Sequence, residues 1–376
     1  MKINDFKLER YFAKHEFNAK YLFSSSDCDG YALKYLLENA SKNEMDLWEG
    51  IKLGYTESEG NPLLRKAILQ YYKIKTIENV VVASPGELNF ISMNVLLNSK
   101  DHVITVSPCY QSLSEVVKSI NCELSLWKPN SEKWEFNTTD LEKLIRKNTK
   151  LIILNFPHNP TGSYLKREQL DEIVRIAKKN DVYIFSDEMY HKLIMDETME
   201  LPPISDIYEK GISLWGTSKT FGLAGLRIGW LVTQDTDFLH KVVAFKDYLS
   251  ICNSAPSEIL SIIALNNIDK FLPQNLKKIK ENILLFGDFV GKHPIISSFT
   301  PPKAGSTSFV KLNINNSSLE FSNQLVEKTG IMTVPSEMFE HNGKYIRVGF
   351  GRNNFPEVLD ILDNYLKTIK PAYNNK

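Results

Sequence analysis

Short apolar runs recur through the middle of the chain, separated by stretches with helical periodicity. Residues 80–83 (Val-Val-Val-Ala), 102–106 (His-Val-Ile-Thr-Val), 151–155 (Leu-Ile-Ile-Leu-Asn), 182–186 (Val-Tyr-Ile-Phe-Ser) and 213–215 (Ser-Leu-Trp) read as strands. Residues 88–97 and 167–179 read as helices. A strand without alternating polar positions has to be buried on both faces. Such strands, spaced by helices, predict an α/β fold with a mostly parallel sheet flanked by helices. Ligands of these sheets gather at the carboxyl ends of the strands. Asn159, Asp187 and Lys219 each follow a predicted strand, and that shared placement predicts one site.

The pattern changes near residue 286. Short strands at 308–312 and 344–349 mix with helices near 320–329 and 356–368. This reads as a smaller α+β domain over 286–376, beside a large domain over 46–285. Residues 1–45 are expected to pack with the small domain, and the polar tail from residue 371 to fray. A length of 376 residues with 43% hydrophobic content is ample for two such units. Lys+Arg and Asp+Glu both number 45, so no basic field recruits nucleic acid or an anionic membrane. The N-terminus carries charges where a signal peptide needs an apolar run, and no run of 18 apolar residues occurs. These features predict a cytoplasmic protein. Cys28, Cys109, Cys122 and Cys252 show no CxxC spacing, so neither a metal site nor a disulfide framework is expected.

The chemistry concentrates in residues 213–230, Ser-Leu-Trp-Gly-Thr-Ser-Lys-Thr-Phe-Gly-Leu-Ala-Gly-Leu-Arg-Ile-Gly-Trp. Lys219 sits among small and apolar residues, where a lysine loses its proton more readily and can attack a carbonyl. Arg227 can grip a phosphate. The pair suits a molecule that joins an aldehyde to a phosphate. Alone, the stretch reads equally well as a glycine-rich connection with a surface lysine.

Further segments narrow the choice. Tyr55 to Gly60 precedes Leu64 and Arg65, and Pro108-Cys-Tyr110 follows a strand. Then come Asn155-Phe-Pro-His-Asn-Pro-Thr-Gly162, Ser186-Asp-Glu-Met-Tyr190, the lysine stretch and Tyr345-Ile-Arg-Val-Gly349. In this order they resemble the class I and II aminotransferases, fold-type I enzymes that use pyridoxal 5'-phosphate (PLP). The resemblance implies roles. Lys219 would bond the cofactor's aldehyde carbon and then move protons. Asp187 would keep the pyridine nitrogen protonated. Asn159 and Tyr190 would hydrogen-bond the ring oxygen, Tyr190 counting with Lys219 and Asp187 as catalytic. Tyr110 would stack on the ring. Arg227 would hold the phosphate, helped by the backbone N–H groups of Glu87 and Leu88. Arg347 would clamp the substrate carboxylate, beside Asn159. Tyr55 would reach the phosphate of a neighbouring subunit, which implies a homodimer with shared active sites. The substrates implied are an amino acid and a 2-oxo acid.

Two departures matter. The family often has a serine three residues before the lysine, and here that residue is Gly216. Thr217 or Ser218 would have to supply the missing phosphate contact. The N-terminal region, with Tyr11 to Phe17 and Phe23 to Tyr31, together with Tyr110 to Leu113 and Phe156 to Asn159, resembles the capreomycidine synthase branch. That branch implies elimination, ring closure or oxidation on an arginine-like substrate as the alternative to transamination. Glu9, Glu16, Asp27 and Asp29 then read either as a solvated acidic face or as partners of a guanidinium group.

Overall fold

A computed structural model describes residues 2–130 and 133–372. Residues 373–376 of the expected frayed tail lie outside the described residues. In chain order the strands are β1 (Tyr21–Leu22), β2 (Val80–Ala83), β3 (His102–Val106), β4 (Glu123–Trp127), β5 (Thr149–Asn155), β6 (Tyr183–Asp187), β7 (Gly211–Gly216) and β8 (Gly229–Thr233). They continue as β9 (Ile296–Ser298), β10 (Thr307–Leu312), β11 (Ile331–Met332), β12 (Val334–Pro335) and β13 (Tyr345–Gly349).

The large sheet has the order β2-β8-β7-β6-β5-β3-β4. All its pairings are parallel except those of β8 with β2 and β7. Its apolar strands are buried on both faces, and on β2, β7 and β8 successive side chains enter two different cores. Val81, Ala83, Leu214 and Leu231 join the core under helices Pro85–Leu96, Arg167–Asn180 and Thr236–Lys246. Val80, Val82, Trp215, Trp230 and Val232 join the opposite core with helices Pro62–Ile68 and Ala255–Asn266. Helix Pro85–Leu96 starts three residues before the expected 88–97 because Pro85 takes the first helical position, where no N–H is needed.

The small sheet is antiparallel, with the order β12-β13-β10-β9. The domain boundaries differ from the sequence expectation at both ends. Residues 7–29 do side with the small unit. Helix Lys7–His15 contributes Leu8 and Tyr11 to a core with Phe309, Met332, Val334 and Phe339, and β1 pairs with β11. Helices Leu33–Glu38 and Lys42–Glu49 instead pack on the large unit, because Leu36, Leu47 and Trp48 cover the core around Ile259 and Ile263. Helix Ile268–Val290 crosses residue 286 without a break. Its Phe271 belongs to the large unit, and Phe286 and Phe289 belong to the small one. Among the described residues, no helix is long and apolar enough to cross a membrane.

Candidate active site

Where β5, β6 and β7 end, the chain opens a cleft of about 470 Å³. Its lining includes Asn159, Asp187, Tyr190, Ser218, Lys219, Arg227 and Arg347, from segments far apart in sequence. The parallel strands carry their carboxyl ends to one edge, so residues just past them meet there.

Asp187 ends β6, and its Oδ1 accepts the Met189 N–H at 3.2 Å. Burial pushes its carboxyl up to about 6, against the opposing pull of that N–H and of the Lys219 charge. Burial likewise lowers the pKa of the Lys219 amine, with the Arg347 and Arg227 charges adding to the drop and Asp27 and Glu9 opposing it. Lys219 is thus biased toward the free amine that attacks carbonyls.

Arg347 lies on β13 between β10 and β12, fully buried. Its Nε donates to the Ser24 carbonyl at 3.0 Å and its Nη1 to Asn159 Oδ1 at 3.1 Å. The guanidinium lies 5.4 Å from the Phe339 ring centre and 5.9 Å from that of Phe12. Nη2 is buried with no hydrogen-bond partner. The Tyr190 hydroxyl is also buried and unpartnered. Such orphaned groups cost about 1–3 kcal/mol each, and they mark where a ligand's oxygens belong.

Those vacancies test the fit of PLP. A buried carboxyl at Asp187 suits a protonated ring nitrogen. The Tyr190 hydroxyl suits a phenolic oxygen, and Arg347 Nη2 suits a substrate carboxylate. Arg227 lines the cleft at the exposed end, held by an Nη1 bond to the Ala224 carbonyl at 3.1 Å. The donor set fits the cofactor.

Two expected phosphate contacts are corrected. The Leu88 N–H donates to the Ser84 carbonyl at 3.0 Å inside the first helical turn, and its side chain is in the core. Gly86, one turn position earlier, lines the cleft. Glu87 points its carboxylate away, accepting from Ser250 Oγ at 2.6 Å. The Thr217 hydroxyl donates to the Ile228 carbonyl at 3.1 Å and is buried off the cleft, whereas Ser218 lines it. Gly216 itself has a steric cause. A Cβ there would stand 2.8 Å from the Ile228 carbonyl and 2.9 Å from Gly229 Cα, so no serine fits between β7 and β8.

Tyr110 lines the cleft, and its hydroxyl donates to Glu9 Oε1 at 2.9 Å. Burial, followed by the Glu9 charge, raises the pKa of its phenol. Tyr55 is 89% exposed and is not among the residues lining this chain's cleft.

Sequence reasoning missed most of the opposite wall. Leu8, Glu9, Phe12, Glu16, Ser25, Ser26 and Asp27 line the cleft across from the strand ends. Glu9, Phe12 and Glu16 follow helical spacing around Lys7–His15, a signal that was present in the sequence. Burial raises the pKa of the Glu16 carboxyl, and the Asp27 and Glu9 charges push it the same way. Asp27 pairs with Arg352 at 2.9 Å. Asp29 turns away to Lys278 at 3.0 Å and is not among the lining residues.

With this geometry in hand, the relatives are informative. The profile of the family "Aminotransferase class I and II" matches residues 19–360. A PLP-dependent aminotransferase from Streptococcus suis 89-1591 has a crystal structure similar to this chain, with a TM-score of 0.92 and 29% identity, covering 99% of this chain and 100% of that one. The aspartate aminotransferase of Pyrococcus horikoshii is 29% identical over 84% of this chain and 83% of its own length. The capreomycidine synthase of Streptomyces vinaceus is 24% identical over 91% of this chain and 88% of its own. The chain therefore belongs to the class I and II aminotransferases, PLP-dependent enzymes of fold type I.

Proposed function

We propose that this enzyme moves the amino group of an amino acid with a cationic side chain to a 2-oxo acid. The observation that carries the substrate class is the set of carboxylates Glu9, Glu16 and Asp27 lining the same cleft as the buried Arg347. An amino acid held by its carboxylate at Arg347 would extend its side chain toward these carboxylates. A guanidinium or ammonium group there would relieve the mutual repulsion that raises the Glu16 pKa.

When bound, PLP supplies an electrophilic aldehyde and a ring that accepts an electron pair. The chain's residues do the rest. Asp187 holds a proton on the ring nitrogen, and Tyr190 and Asn159 donate to the ring oxygen. Arg227, Ser218 and the N–H groups of Gly86 and Glu87 hold the phosphate. Tyr110 covers one face of the ring. Arg347 fixes the substrate carboxylate through the vacant Nη2, which orients the Cα–H bond toward Lys219. The Lys219 amine would take the proton from the substrate Cα and hold it for return. Tyr55, exposed on its loop, would complete the phosphate site of a second copy in a homodimer.

A second reading has its own support. The same acidic wall and the likeness to a capreomycidine synthase favour a cyclase, lyase or oxidase acting on arginine or a hydroxyarginine. One experiment separates the two. Each amino acid is incubated with the enzyme and 2-oxoglutarate, and glutamate is measured. Glutamate formed from arginine or lysine supports transamination. Arginine consumed without glutamate supports the second reading. Aspartate preferred, with both basic amino acids inert, sinks the substrate class.

A further inference from the structure

Lys219 has a partner that none of the roles above uses. Its Nζ donates to Ser26 Oγ at 2.8 Å. Burial raises the pKa of the Tyr190 phenol, and the Arg347 charge and the nearby Ser26 hydroxyl oppose that rise, although no hydrogen bond closes onto that phenol. Ser26 therefore stands between the two groups of the site most concerned with proton movement.

The segment bearing Ser26 is fixed along its length. Phe23 exchanges backbone hydrogen bonds with Met332 and Gly349, at 3.1 and 2.9 Å. The Ser24 carbonyl accepts from Arg347, and the Ser26 carbonyl accepts from Ser306 Oγ at 2.8 Å. Asp27 is paired with Arg352, and the Asp29 N–H donates to the Gly351 carbonyl at 3.0 Å. Contact with β13 is so close that a Cβ on Gly349 would stand 1.9 Å from the Ser25 carbonyl oxygen. A serine hydroxyl on such a backbone is a stationary acceptor, with one short side chain to order. Lysine has four rotatable bonds and loses much entropy when it is held in one place. A fixed acceptor inside the cleft decides where its amine rests.

We propose that Ser26 is a positioning residue for Lys219. Its hydroxyl docks the amine whenever that amine is not bonded to the cofactor, and keeps it within the cleft for proton transfer at the substrate Cα. This rests on the role proposed above for Lys219. The dock is a property of this chain's N-terminal segment rather than of the strand ends.

The test uses the full chain loaded with pyridoxamine 5'-phosphate, a form in which Lys219 carries no cofactor. An amine-reactive acylating reagent is applied across pH, and modification of the Lys219 peptide is read by mass spectrometry. The charges acting on this amine include Asp27, Glu9, Arg347, Arg227, Asp187 and Glu16, and all stay in place in the variants. A hydroxyl that accepts from the amine favours its charged form. Ser26→Ala should therefore lower the pH midpoint of modification, by about half a unit. In the PLP-loaded enzyme the same variant should lose about tenfold in kcat with KM within about twofold, and the isotope effect of a Cα-deuterated substrate should grow. Ser26→Thr keeps a hydroxyl and should restore the midpoint and most of kcat.

An unmoved midpoint in Ser26→Ala overturns the proposal, whatever happens to kcat. So does a fall in kcat that Ser26→Thr fails to rescue while both variants melt like the parent. If Lys219→Ala kept PLP bonded to the chain, the role of Lys219 would fail instead. The midpoint measurement does not depend on that outcome, so the two failures are distinguishable.

Discussion

The two walls of the cleft are built by different means. On one, Asn159, Asp187, Lys219 and Arg227 follow the ends of β5, β6 and β7, each within a few residues of a strand. Neighbours in sequence hold two of them, the Met189 N–H on Asp187 and the Ala224 carbonyl on Arg227. On the other, Glu9, Phe12, Glu16, Ser26 and Asp27 come from residues 7–29, which cross from the small unit. They are held by residues far away in sequence, Tyr110 on Glu9 and Arg352 on Asp27. The first wall follows from sheet topology. The second is an appended strap, free to vary in chemistry as long as it stays pinned to β11 and β13. Arg347 joins them, bonded at once to Asn159 and to the Ser24 carbonyl.

This division is broken most severely from the strand-end side. Lys219→Ala should reduce turnover at least about 10⁴-fold for every substrate. Borohydride reduction of the variant should leave no cofactor on the chain by mass spectrometry. Next in size is the joint between the walls. Arg347→Gln should cost about 10²–10³-fold in kcat/KM, because the buried charged donor to the substrate carboxylate is lost. The loss should be alike for basic and neutral amino acids, since all carry the same carboxylate. A loss confined to basic substrates would move Arg347 from the shared site to the strap's specificity.

The strap should show the opposite signature. Glu16→Gln should raise KM for arginine about tenfold and leave a neutral amino acid such as leucine within about twofold. Glu16 is only partly exposed, and its carboxyl is already pushed toward the neutral form by burial and by Asp27 and Glu9. Arginine turnover should therefore also fall as pH drops through the raised pKa of Glu16, and Glu16→Gln should remove that dependence. Equal effects on arginine and leucine would erase the distinction between the walls.

The strand-end wall was legible in the sequence because each of its residues sits in a local pattern, an apolar run followed by a turn. The parallel sheet follows from the same pattern. Ser218 could not be separated from Thr217 by sequence, because the choice depends on how β8 returns beside β7 and takes the Thr217 hydroxyl. Gly216 looked like a lost contact and is a steric requirement of that same return. The strap was harder still. Its acidic residues match an ordinary solvated face, and only the packing of Leu8 and Tyr11 against Phe309 and Val334 turns Glu9 and Glu16 inward. Ser26 lies in the segment from Phe23 to Tyr31, but nothing in that segment's sequence points to Lys219. Its partner lies 193 residues away, a separation that local pattern does not encode.

The smallest effect on activity is expected inside the first wall, one residue past Asp187. Glu188 is buried but is not among the cleft-lining residues. Its Oε1 accepts the Ile204 N–H at 2.9 Å, and Oε2 has no partner. Burial pushes its carboxyl up to about 8, with hydrogen bonds from Ile204, Ser186 and Ser213 opposing the rise. A carboxyl whose pKa is higher folded than unfolded binds a proton on folding. The stability it lends is present at low pH and is lost as pH rises toward the folded value, by up to about 1.4 kcal/mol per pH unit. Buried histidines such as His158 and His191, held down to about 3 by desolvation, add stability as pH rises through about 6.5, so Glu188 is isolated by the difference between parent and variant rather than by the parent alone. Glu188→Gln mimics the protonated acid at every pH. Its unfolding free energy in urea should exceed the parent's by a margin that grows between pH 6 and pH 8, by about 2 kcal/mol. Turnover should stay within about twofold of the parent. A parallel loss of activity would place Glu188 in the catalytic wall, and a difference between variant and parent that does not grow from pH 6 to 8 would show that the carboxyl is ionised in the fold.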